Sequence, residues 1–428
     1  MQEDEVRTDV VDRRYTLISS DTHAGAPIEG YKEYLPTRLH DRFDEWAATF
    51  SDGWESLDTD TDIKNRVGAA SFMAPVNWDS EARQQDLEGD GIVAEVIFPN
   101  TVPPFYPSGN LTAPGPTSQS EYEERWAGIQ AHNRWLAKFC AEVPGRRAGI
   151  AQVLFDDIDA AVAEIKWAKE NGLRGILLPA DHHLKLVNLY YPEYDHVWQI
   201  CEELDMPIHR HAGFVAEAEN RAGWAAPAIG AIESQLFAQR AFQQLAFAGV
   251  FDRYPKLKLV YTETRSSWIP ELLQRLDQFY YASSARGSLQ NLFAGAATAR
   301  LTRPPSEYFK TNCYVGTFFT DDDIATSHEV GVDRLMWGAD YPHHEGTWPH
   351  TELALRRNFA NMPYDEIKKI TSQTAAAVYH FDLAFLDSLA STLGPKVTDV
   401  ERPLDVAEFP ESPCPSFTAR FAGAASWE

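Results

Sequence analysis

The sequence of this chain alternates short apolar segments with helix-forming segments along most of its length. Eight segments have the apolar, β-prone character of buried strands, and they lie near residues 16, 95, 151, 177, 209, 260, 313 and 336. Helical spacing separates most of them, for example over 121–142. Such a rhythm is typical of a parallel sheet buried on both faces. Eight units favour a (β/α)8 TIM barrel over an open sheet, and a nucleotide-binding fold is disfavoured because neither a GxGxxG nor a Walker A motif is found.

Two segments depart from this alternation. Residues 30–85 read as an insertion after the first strand, because Asp, Thr and Trp are frequent there and 51–80 shows no clean period. The tail from residue 393 onward is rich in Pro and small polar residues, so we expect it to pack on the surface or to reach a neighbouring subunit. We therefore predict a barrel domain over 1–383 and a C-terminal extension over 384–428.

Composition limits the possible partners and compartments. The 428 residues carry 38 basic and 63 acidic side chains, for a net charge of −25, which argues against nucleic acid or an anionic membrane as a partner. No apolar run is long enough to span a bilayer, and the acidic start lacks the features of a secretion signal. Four scattered cysteines show no CxxC spacing and so suggest neither a disulfide framework nor a thiolate zinc site. We predict a cytoplasmic enzyme with a small-molecule substrate.

A barrel requires its catalytic residues at the carboxyl ends of its strands, and polar side chains do follow several of the predicted strands. Asp21 and His23 follow the first strand, His211 ends the fifth, and Asp340 follows the eighth. Two carboxylates and two imidazoles would then converge on one cation. This mixed O/N ligand set suits Zn²⁺, with Mn²⁺ or Fe²⁺ as alternatives.

Three other strand-end residues are candidates for the chemistry. Glu263, after the sixth strand, has two possible roles: to take a proton from a metal-bound water, or to pair with a nearby Arg or His. Arg265 either clamps a substrate carboxylate or neutralises Glu263. His343 is expected to line the pocket as an acid or a substrate contact, and Asp340 is a second candidate for proton transfer.

Further residues are expected around the mouth of the barrel. His209 lies two positions before His211, so both should face the barrel interior, and we assign His209 to substrate binding together with Phe98 and Trp268. At most one of His182 and His183 should reach the substrate. Other aromatic residues on mouth loops are candidates for an apolar wall: Phe105, Tyr106 and Trp348. Ordinary loop roles suffice for His344, Glu345 and His350.

These motifs resemble the metal-dependent amidohydrolase superfamily, specifically its amidohydrolase-2 branch of decarboxylases and hydrolases. The resemblance runs from about residue 17 to 382. It rests on five motifs: Ser20-Asp21-Thr22-His23, Asp90-Gly91-Ile92 with Phe98-Pro99-Asn100, Gly172-Leu173-Arg174-Gly175, Pro207-Ile208-His209-Arg210-His211, and Trp337-Gly338-Ala339-Asp340-Tyr341-Pro342-His343. It implies a (β/α)8 barrel with one metal held by Asp21, His23, His211 and Asp340, and it suggests a homo-oligomer, a dimer.

The sequence also departs from the pattern of the aminocarboxymuconate semialdehyde decarboxylase for which the branch is known. That pattern has His-x-His on the first strand, where this chain has Asp21-Thr22-His23. Its catalytic His after the sixth strand is replaced here by Glu263. No lysine on the fourth strand is a candidate for the carbamylated bridge of two-metal amidohydrolases, so a mononuclear site is favoured.

Two chemistries follow from this site, and a third class of function remains possible. We predict a metal-dependent hydrolase in which a metal-activated water cleaves a C–N, C–O or C–C bond of a small, carboxylated or aromatic substrate. The glutamate after the sixth strand favours this interpretation. The alternative is a metal-dependent non-oxidative decarboxylase of an aromatic or unsaturated carboxylic acid. A metal-free barrel that serves as a binding or scaffold protein would belong to the third class.

Overall fold

The computed structural model describes residues 13–50, 74–100, 103–106, 115–180, 187–212 and 226–418. Eight parallel strands in sequential order form its sheet. Their bounds are β1 Leu17–Ala24, β2 Ile92–Pro99, β3 Arg147–Gln152, β4 Gly175–Leu177, β5 Ile208–His211, β6 Leu259–Thr262, β7 Cys313–Thr317 and β8 Leu335–Trp337. The strands are buried almost throughout, which explains why they read as apolar runs in the sequence.

The sheet curls so that its last strand meets its first. The backbone N–H of Asp340 donates to the carbonyl of Asp21 at 2.8 Å, and that of His23 donates to the carbonyl of Tyr341 at 2.7 Å. Thr22 and Tyr341 form a parallel bridge. These bonds join β1 to the segment that follows β8, and the predicted (β/α)8 barrel is confirmed.

Helices cover the outside of the barrel between the strands. The longer ones have these bounds: α1 His40–Ala47, α2 Ser80–Gly89, α3 Gln119–Ala141, α4 Ile158–Glu170, α5 Asp195–Glu203, α6 Ala226–Phe247, α7 Ile269–Ser284, α8 Leu289–Thr298, α9 Pro305–Asn312, α10 Asp321–Val330, α11 Thr351–Phe359 and α12 Leu383–Leu393. Asp157 caps α4 by accepting from the N–H of Ala160 at 3.0 Å. Gly172, with φ of 86°, follows the C-cap residue Asn171 of this helix. No helix in these ranges is both long and apolar enough to cross a membrane.

The structure changes several predicted boundaries. The sequence places Asp21 and His23 after the first strand, but β1 continues to Ala24, with a register shift between Ser19 and Thr22, so both residues lie within the strand. The apolar spacing of 364–379 predicts one continuous helix, but a π-helical segment, Lys369–Gln373, interrupts it. The spacing of 233–251 predicts a helix that in the structure already begins at Ala226 and ends at Phe247.

The insertion and the C-terminal extension are only partly described. Within 30–85 the structure shows α1 and the start of α2, while 51–73 lies outside the described residues. Helix α12 begins at the proposed domain boundary, and its Leu386 and Ala390 pack in one buried cluster with Ile18, Val93 and Val96 of the barrel strands. The division between 383 and 384 stays a prediction, but α12 itself is bound to the barrel core.

Candidate metal centre and active site

Three predicted metal ligands meet at the carboxyl end of the barrel. The Nε2 atoms of His23 and His211 lie 3.5 and 3.4 Å from Oδ1 of Asp21. The Nε2 atom of His23 also lies 3.2 Å from Oδ1 of Asp340. Asp21, His23 and His211 share a cluster with Glu263 in which the possible ligand atoms all lie within 4.8 Å of one another. This four-residue group contains Glu263 in place of Asp340, and Asp340 contacts the group through His23.

Hydrogen bonds leave Nε2 of both histidines available as a ligand. Nδ1 of His23 lies 3.1 Å from the carbonyl oxygen of Pro99, and Nδ1 of His211 lies 2.6 Å from that of Ala212. A carbonyl only accepts, so each Nδ1 carries the proton and each Nε2 keeps its lone pair in the neutral ring. Backbone carbonyls fix metal-binding histidines in this way in many proteins.

The unsatisfied polar atoms of this cluster fit a metal ion. Both carboxylate oxygens of Asp21 and Asp340 and the Nε2 atoms of His23 and His211 are buried without a hydrogen-bond partner. Unpaired buried polar atoms are costly. Atoms bound to one zinc or manganese ion at about 2.0–2.2 Å lie about 3.0–3.5 Å apart, and the measured separations of 3.2–3.5 Å match that spacing. The donor set thus supports a divalent metal.

Close packing around Asp21 requires a glycine on the neighbouring segment. A Cβ atom at Gly338 would lie 2.7 Å from Cβ of Asp21. No other residue fits there without displacing Asp21 from the cluster. This contact explains the glycine in the sequence Trp337-Gly338-Ala339-Asp340.

His343 lies beside Asp340 and His23. Its Nδ1 is 3.0 Å from Oδ1 of Asp340, and its Nε2 is 3.2 Å from Oδ1 of Asn100. Its ring stacks on that of His23 at 3.9 Å between centroids. Burial favours protonation of Asp340, but the neighbouring His343 outweighs it and holds the pKa of this carboxyl below its usual range. Asp340 is therefore an anion that orients His343.

Glu263 faces the same cluster from the end of β6. Its Oε2 lies 3.6 Å from Nδ1 of His211, and its φ of 57° is in the left-handed region. Burial, with the charges of Asp340, Asp21 and Glu345, raises the pKa of Glu263 well above its usual range. A cation bound among these carboxylates would lower the pKa of Glu263. A strained non-glycine backbone held at a polar pocket is common at functional sites, and Asp340 shows the same φ of 57°.

Arg265 forms an ion pair with Asp323 rather than with Glu263. Its Nε donates to Oδ2 of Asp323 at 2.6 Å, and its Nη2 donates to Thr320. Asp323 also accepts from the N–H groups of Ser266 and Ser267 at 2.8 and 3.0 Å. The guanidinium thus joins the loop after β6 to the start of α10, and the proposed contact of Arg265 with a substrate carboxylate stays a prediction.

His209 lies deeper in the barrel than the cluster. It is fully buried, with Nδ1 at 3.0 Å from the carbonyl of Ile176 and Nε2 at 3.0 Å from the hydroxyl of Tyr379. Burial lowers its pKa to about 3. The ring is a hydrogen-bonded core group facing inward, as predicted, but this position does not support a role in substrate binding.

The other predicted pocket residues differ in their surroundings. Phe98 is buried beneath the cluster, with its ring centroid 4.9 Å from that of His211. Trp268 donates from Nε1 to the carbonyl of Thr264 at 2.8 Å, while Phe105 packs on Phe43 of α1. His182 and His183 lie outside the described residues. Phe98 therefore supports the cluster from below, and the substrate role of Trp268 stays a prediction.

A buried ionic network supports β1 from outside the barrel. Glu95 of β2 accepts from Arg83 at 2.6–3.0 Å, from Arg147 at 3.2 Å and from Thr22 at 2.9 Å. Arg83 also donates from Nη1 to the carbonyl of His23 at 2.9 Å. These contacts fix the backbone between the two ligands of β1. Sequence reasoning missed this network, because no local pattern marks Glu95 as the partner of two arginines.

Sequence reasoning also missed the roles of Asn100 and Glu345. Asn100 directly follows the end of β2 and accepts from His343, so its strand-end position is a signal that could have been used. Glu345 offers a carboxylate oxygen within 4.8 Å of those of Glu263 and Asp340. Its sequence context, a loop with His344, gives no comparable signal.

A parallel eight-stranded barrel with unpaired carboxylates and imidazoles at the carboxyl ends of its strands defines a metal-dependent enzyme. A sequence model of the family described as Amidohydrolase matches residues 99–381. The chain belongs to that family.

Three similar proteins illustrate the relationship. The gamma-resorcylate decarboxylase of Rhodococcus jostii (strain RHA1) is 27% identical over 301 residues, which are 65% of this chain and 86% of that protein. The 2-amino-3-carboxymuconate-6-semialdehyde decarboxylase of Dictyostelium discoideum is 23% identical over 302 residues, 68% of this chain and 75% of that protein. The crystal structure of the 5-carboxyvanillate decarboxylase of Novosphingobium aromaticivorans with manganese and 4-hydroxy-3-methoxy-5-nitrobenzoic acid has a TM-score of 0.62 and 18% identity, and covers 86% of this chain and 96% of that one.

Proposed function

We propose that this enzyme is a metal-dependent, non-oxidative decarboxylase of an aromatic or unsaturated carboxylic acid. The observation that carries the proposal is the sequence similarity to decarboxylases of such acids, in a chain with a buried metal-type cluster at the carboxyl ends of its strands. It reverses the preference for hydrolysis drawn from Glu263 alone. Glu263 is not needed as a base here, because decarboxylation consumes a proton and no water is cleaved.

The reaction would break the bond between a ring or vinyl carbon and its carboxylate and release CO₂. The same carbon takes up one proton, so atoms and charge balance when the chain supplies that proton. His343 fits this task, because its Nδ1 lies 3.0 Å from the charged carboxylate of Asp340 and its Nε2 donates to Oδ1 of Asn100 at 3.2 Å. We assign the proton to His343 and its orientation to Asp340.

A divalent metal at the cluster would supply Lewis-acid polarisation of the substrate oxygens. Asp21, His23 and His211 would hold it, with Asp340 at the edge of the site. Carboxylate and imidazole ligands suit manganese as well as zinc. We propose manganese ahead of zinc, since the related 5-carboxyvanillate decarboxylase structure contains manganese.

A screen in D₂O tests the reaction. Manganese-loaded enzyme is mixed with a panel of hydroxylated aromatic and unsaturated acids, and both CO₂ and product deuteration are measured. We expect CO₂ together with one deuterium on the carbon that carried the carboxylate. Release should disappear in His211→Ala, fall at least 100-fold in His343→Gln and persist in Glu263→Gln. Cleavage of amide, ester or C–C bonds of neutral substrates without CO₂ would favour hydrolysis instead.

A further inference from the structure

A buried asparagine from the predicted insertion over 30–85 reaches the active site. Asn77 is fully buried and ends the short turn Pro75–Asn77 that precedes α2. Its carbonyl accepts from the N–H of Gly25, directly after β1, at 3.2 Å. Its Oδ1 accepts from Nδ2 of Asn100, directly after β2. Asn77 therefore joins the carboxyl ends of β1 and β2.

A backbone carbonyl fixes the orientation of the Asn77 amide. Nδ2 of Asn77 donates to the carbonyl of Ala74 at 3.0 Å. Because a carbonyl only accepts hydrogen bonds, the amide nitrogen must face Ala74 and the amide oxygen must face Asn100. The reverse orientation would place the Asn77 oxygen against the Ala74 carbonyl, with no proton between the two oxygens.

The orientation of Asn77 determines that of Asn100 in turn. Since the oxygen of Asn77 is an acceptor, Asn100 must present its Nδ2 to Asn77, and its Oδ1 faces Nε2 of His343 at 3.2 Å. The N–H of Asn100 donates to the carbonyl of Ala24 at 2.9 Å, which fixes the backbone beside this amide. Nε2 of His343 therefore donates to an oxygen whose position depends on Asn77.

The ring of His343 needs this acceptor to select one orientation. The outer torsion of a histidine side chain has two roughly equivalent settings, about 180° apart, which exchange nitrogen and carbon positions. Nδ1 of His343 lies 3.0 Å from Oδ1 of Asp340, and its ring stacks on His23. Stacking alone does not distinguish the two settings. Asp340 on one side and Asn100 on the other do so together.

We propose that Asn77 is a positioning residue for the proton donor of the active site. It holds the Asn100 amide in the orientation that directs an oxygen at His343, and so it fixes the His343 ring beside Asp340. The effect on catalysis rests on the proposed function, in which His343 supplies the proton, whereas the effect on the ring does not. The last residues of the insertion would then belong to the active site.

NMR of the intact protein labelled with ¹⁵N-histidine tests the ring contact without substrate. A buried, hydrogen-bonded N–H exchanges slowly with water and so gives a ¹H–¹⁵N signal. The signal of His343 is identified by its loss in His343→Gln. We expect it to disappear in both Asn77→Leu and Asn77→Ala. It should persist in Asn77→Asp, which keeps an oxygen acceptor towards Asn100.

Asn312→Leu is the matched control. Asn312 is 1% exposed and donates from its side chain to two backbone carbonyls at 2.8 and 2.9 Å, directly before β7 at the amino end of the barrel. This variant loses comparable buried hydrogen bonds far from His343. It should keep the His343 signal and the kcat of the unaltered enzyme.

A double-mutant cycle tests whether Asn77 acts through Asn100. Asn77→Leu should lower kcat for CO₂ release about tenfold with little change in KM, and Asn77→Asp should restore most of it. In the Asn100→Leu background, Asn77→Leu should lower kcat less than about twofold.

Three results would overturn the role of Asn77. The His343 signal is absent from the unaltered protein, it survives in both Asn77→Leu and Asn77→Ala, or Asn77→Leu lowers kcat equally in the presence and absence of Asn100. A different result would overturn the proposed function alone: the signals change as expected, but the unaltered enzyme releases CO₂ from no acid. The role of Asn77 in fixing the His343 ring would then stand.

Discussion

Replacement of Glu95 by glutamine should destabilise the enzyme strongly, although Glu95 touches neither substrate nor metal ligand side chain. Glu95 is 1% exposed and receives hydrogen bonds from Arg83, Arg147 and Thr22. Arg83 itself is fully buried. Glutamine keeps the shape but removes the charge, so the two guanidinium groups lose their shared counter-ion. Removing one partner of a buried ionic pair costs about 3–5 kcal/mol.

That cost can be translated into a shift of the unfolding temperature. An unfolding entropy of about 2.1 cal/mol/K per residue gives about 0.9 kcal/mol/K for 428 residues. A loss of about 3–5 kcal/mol therefore lowers the midpoint by about 3–6 °C. Because Arg83 also donates to the carbonyl of His23, the apparent metal affinity should fall in the same variant.

The pH dependence of the unfolding temperature distinguishes the loss of the Glu95 charge from poorer packing of the glutamine side chain. Although burial opposes it, Arg83 and Arg147 lower the pKa of Glu95 in the folded protein. The negative charge of Glu95 therefore stabilises the fold at pH values above the ordinary glutamate pKa of about 4.3. This contribution is lost as pH falls through the lower pKa that Glu95 has in the folded protein. Scanning calorimetry at a fixed rate should show the full deficit of Glu95→Gln at pH 7 and a smaller one below about pH 4.

A matched control uses Glu88. Its Oε1 pairs with Nη1 of Arg146 at 2.6 Å, and this ion pair is partly exposed to solvent. Glu88→Gln should change the midpoint by about 1 °C or less, because exposed pairs contribute about 0–1 kcal/mol. An unfolding temperature of Glu95→Gln within 1 °C of the unaltered enzyme, or a deficit independent of pH, would refute this reasoning.

Three further changes probe other parts of the molecule. Asn100→Leu removes the hydrogen-bond acceptor at Nε2 of His343, so kcat should fall about 10–100-fold with little change in KM. Steady-state kinetics measure both constants, and an unchanged kcat would show that this contact is dispensable. Burial raises the pKa of Asp90 to about 7, so between about pH 4 and 7 the folded protein binds more protons than the unfolded chain, and its stability falls as pH rises through that window. Urea unfolding of Asp90→Asn should lack this decrease. An identical decrease in both proteins would contradict the prediction. Phe293 is 80% exposed on α8, a helix without charged residues, which makes this face a candidate interface of the expected homo-oligomer. Phe293→Glu should then lower the mass measured by light scattering, and an unchanged mass would exclude this face as the interface.

The strand positions and the convergence of Asp21, His23 and His211 at one end of the barrel could be predicted because both depend on local patterns. A parallel strand covered on both faces needs an unbroken apolar run, and side chains two apart on a strand share a face. This is why His209 and His211 both point inward in the structure. The same rule does not say how deep in the barrel each side chain lies. His209 is a core residue bonded to Tyr379, whereas His211, two positions later on β5, lies in the cluster with Asp21.

Contacts between distant segments could not be predicted from one sequence. Arg265 finds its partner Asp323 in the first turn of α10, the helix after the next strand, 58 residues away. Glu345 reaches Asp340 and Glu263 only because the loop after β8 folds back on itself around Gly346. The end of β1 pairs with β2 on one side and with the segment after β8 on the other, and these contacts, which close the barrel, have no local signature.

The metal content of the purified protein is the most direct measurement of whether the cluster of Asp21, His23 and His211 is a metal site. After dialysis, elemental analysis of the full chain should find at least one equivalent of a divalent transition metal, and His211→Ala should lose it while keeping its fold by circular dichroism. A protein that carries no stoichiometric metal, and whose stability and CO₂ release do not respond to added manganese or zinc, would contradict a metal centre at Asp21, His23 and His211.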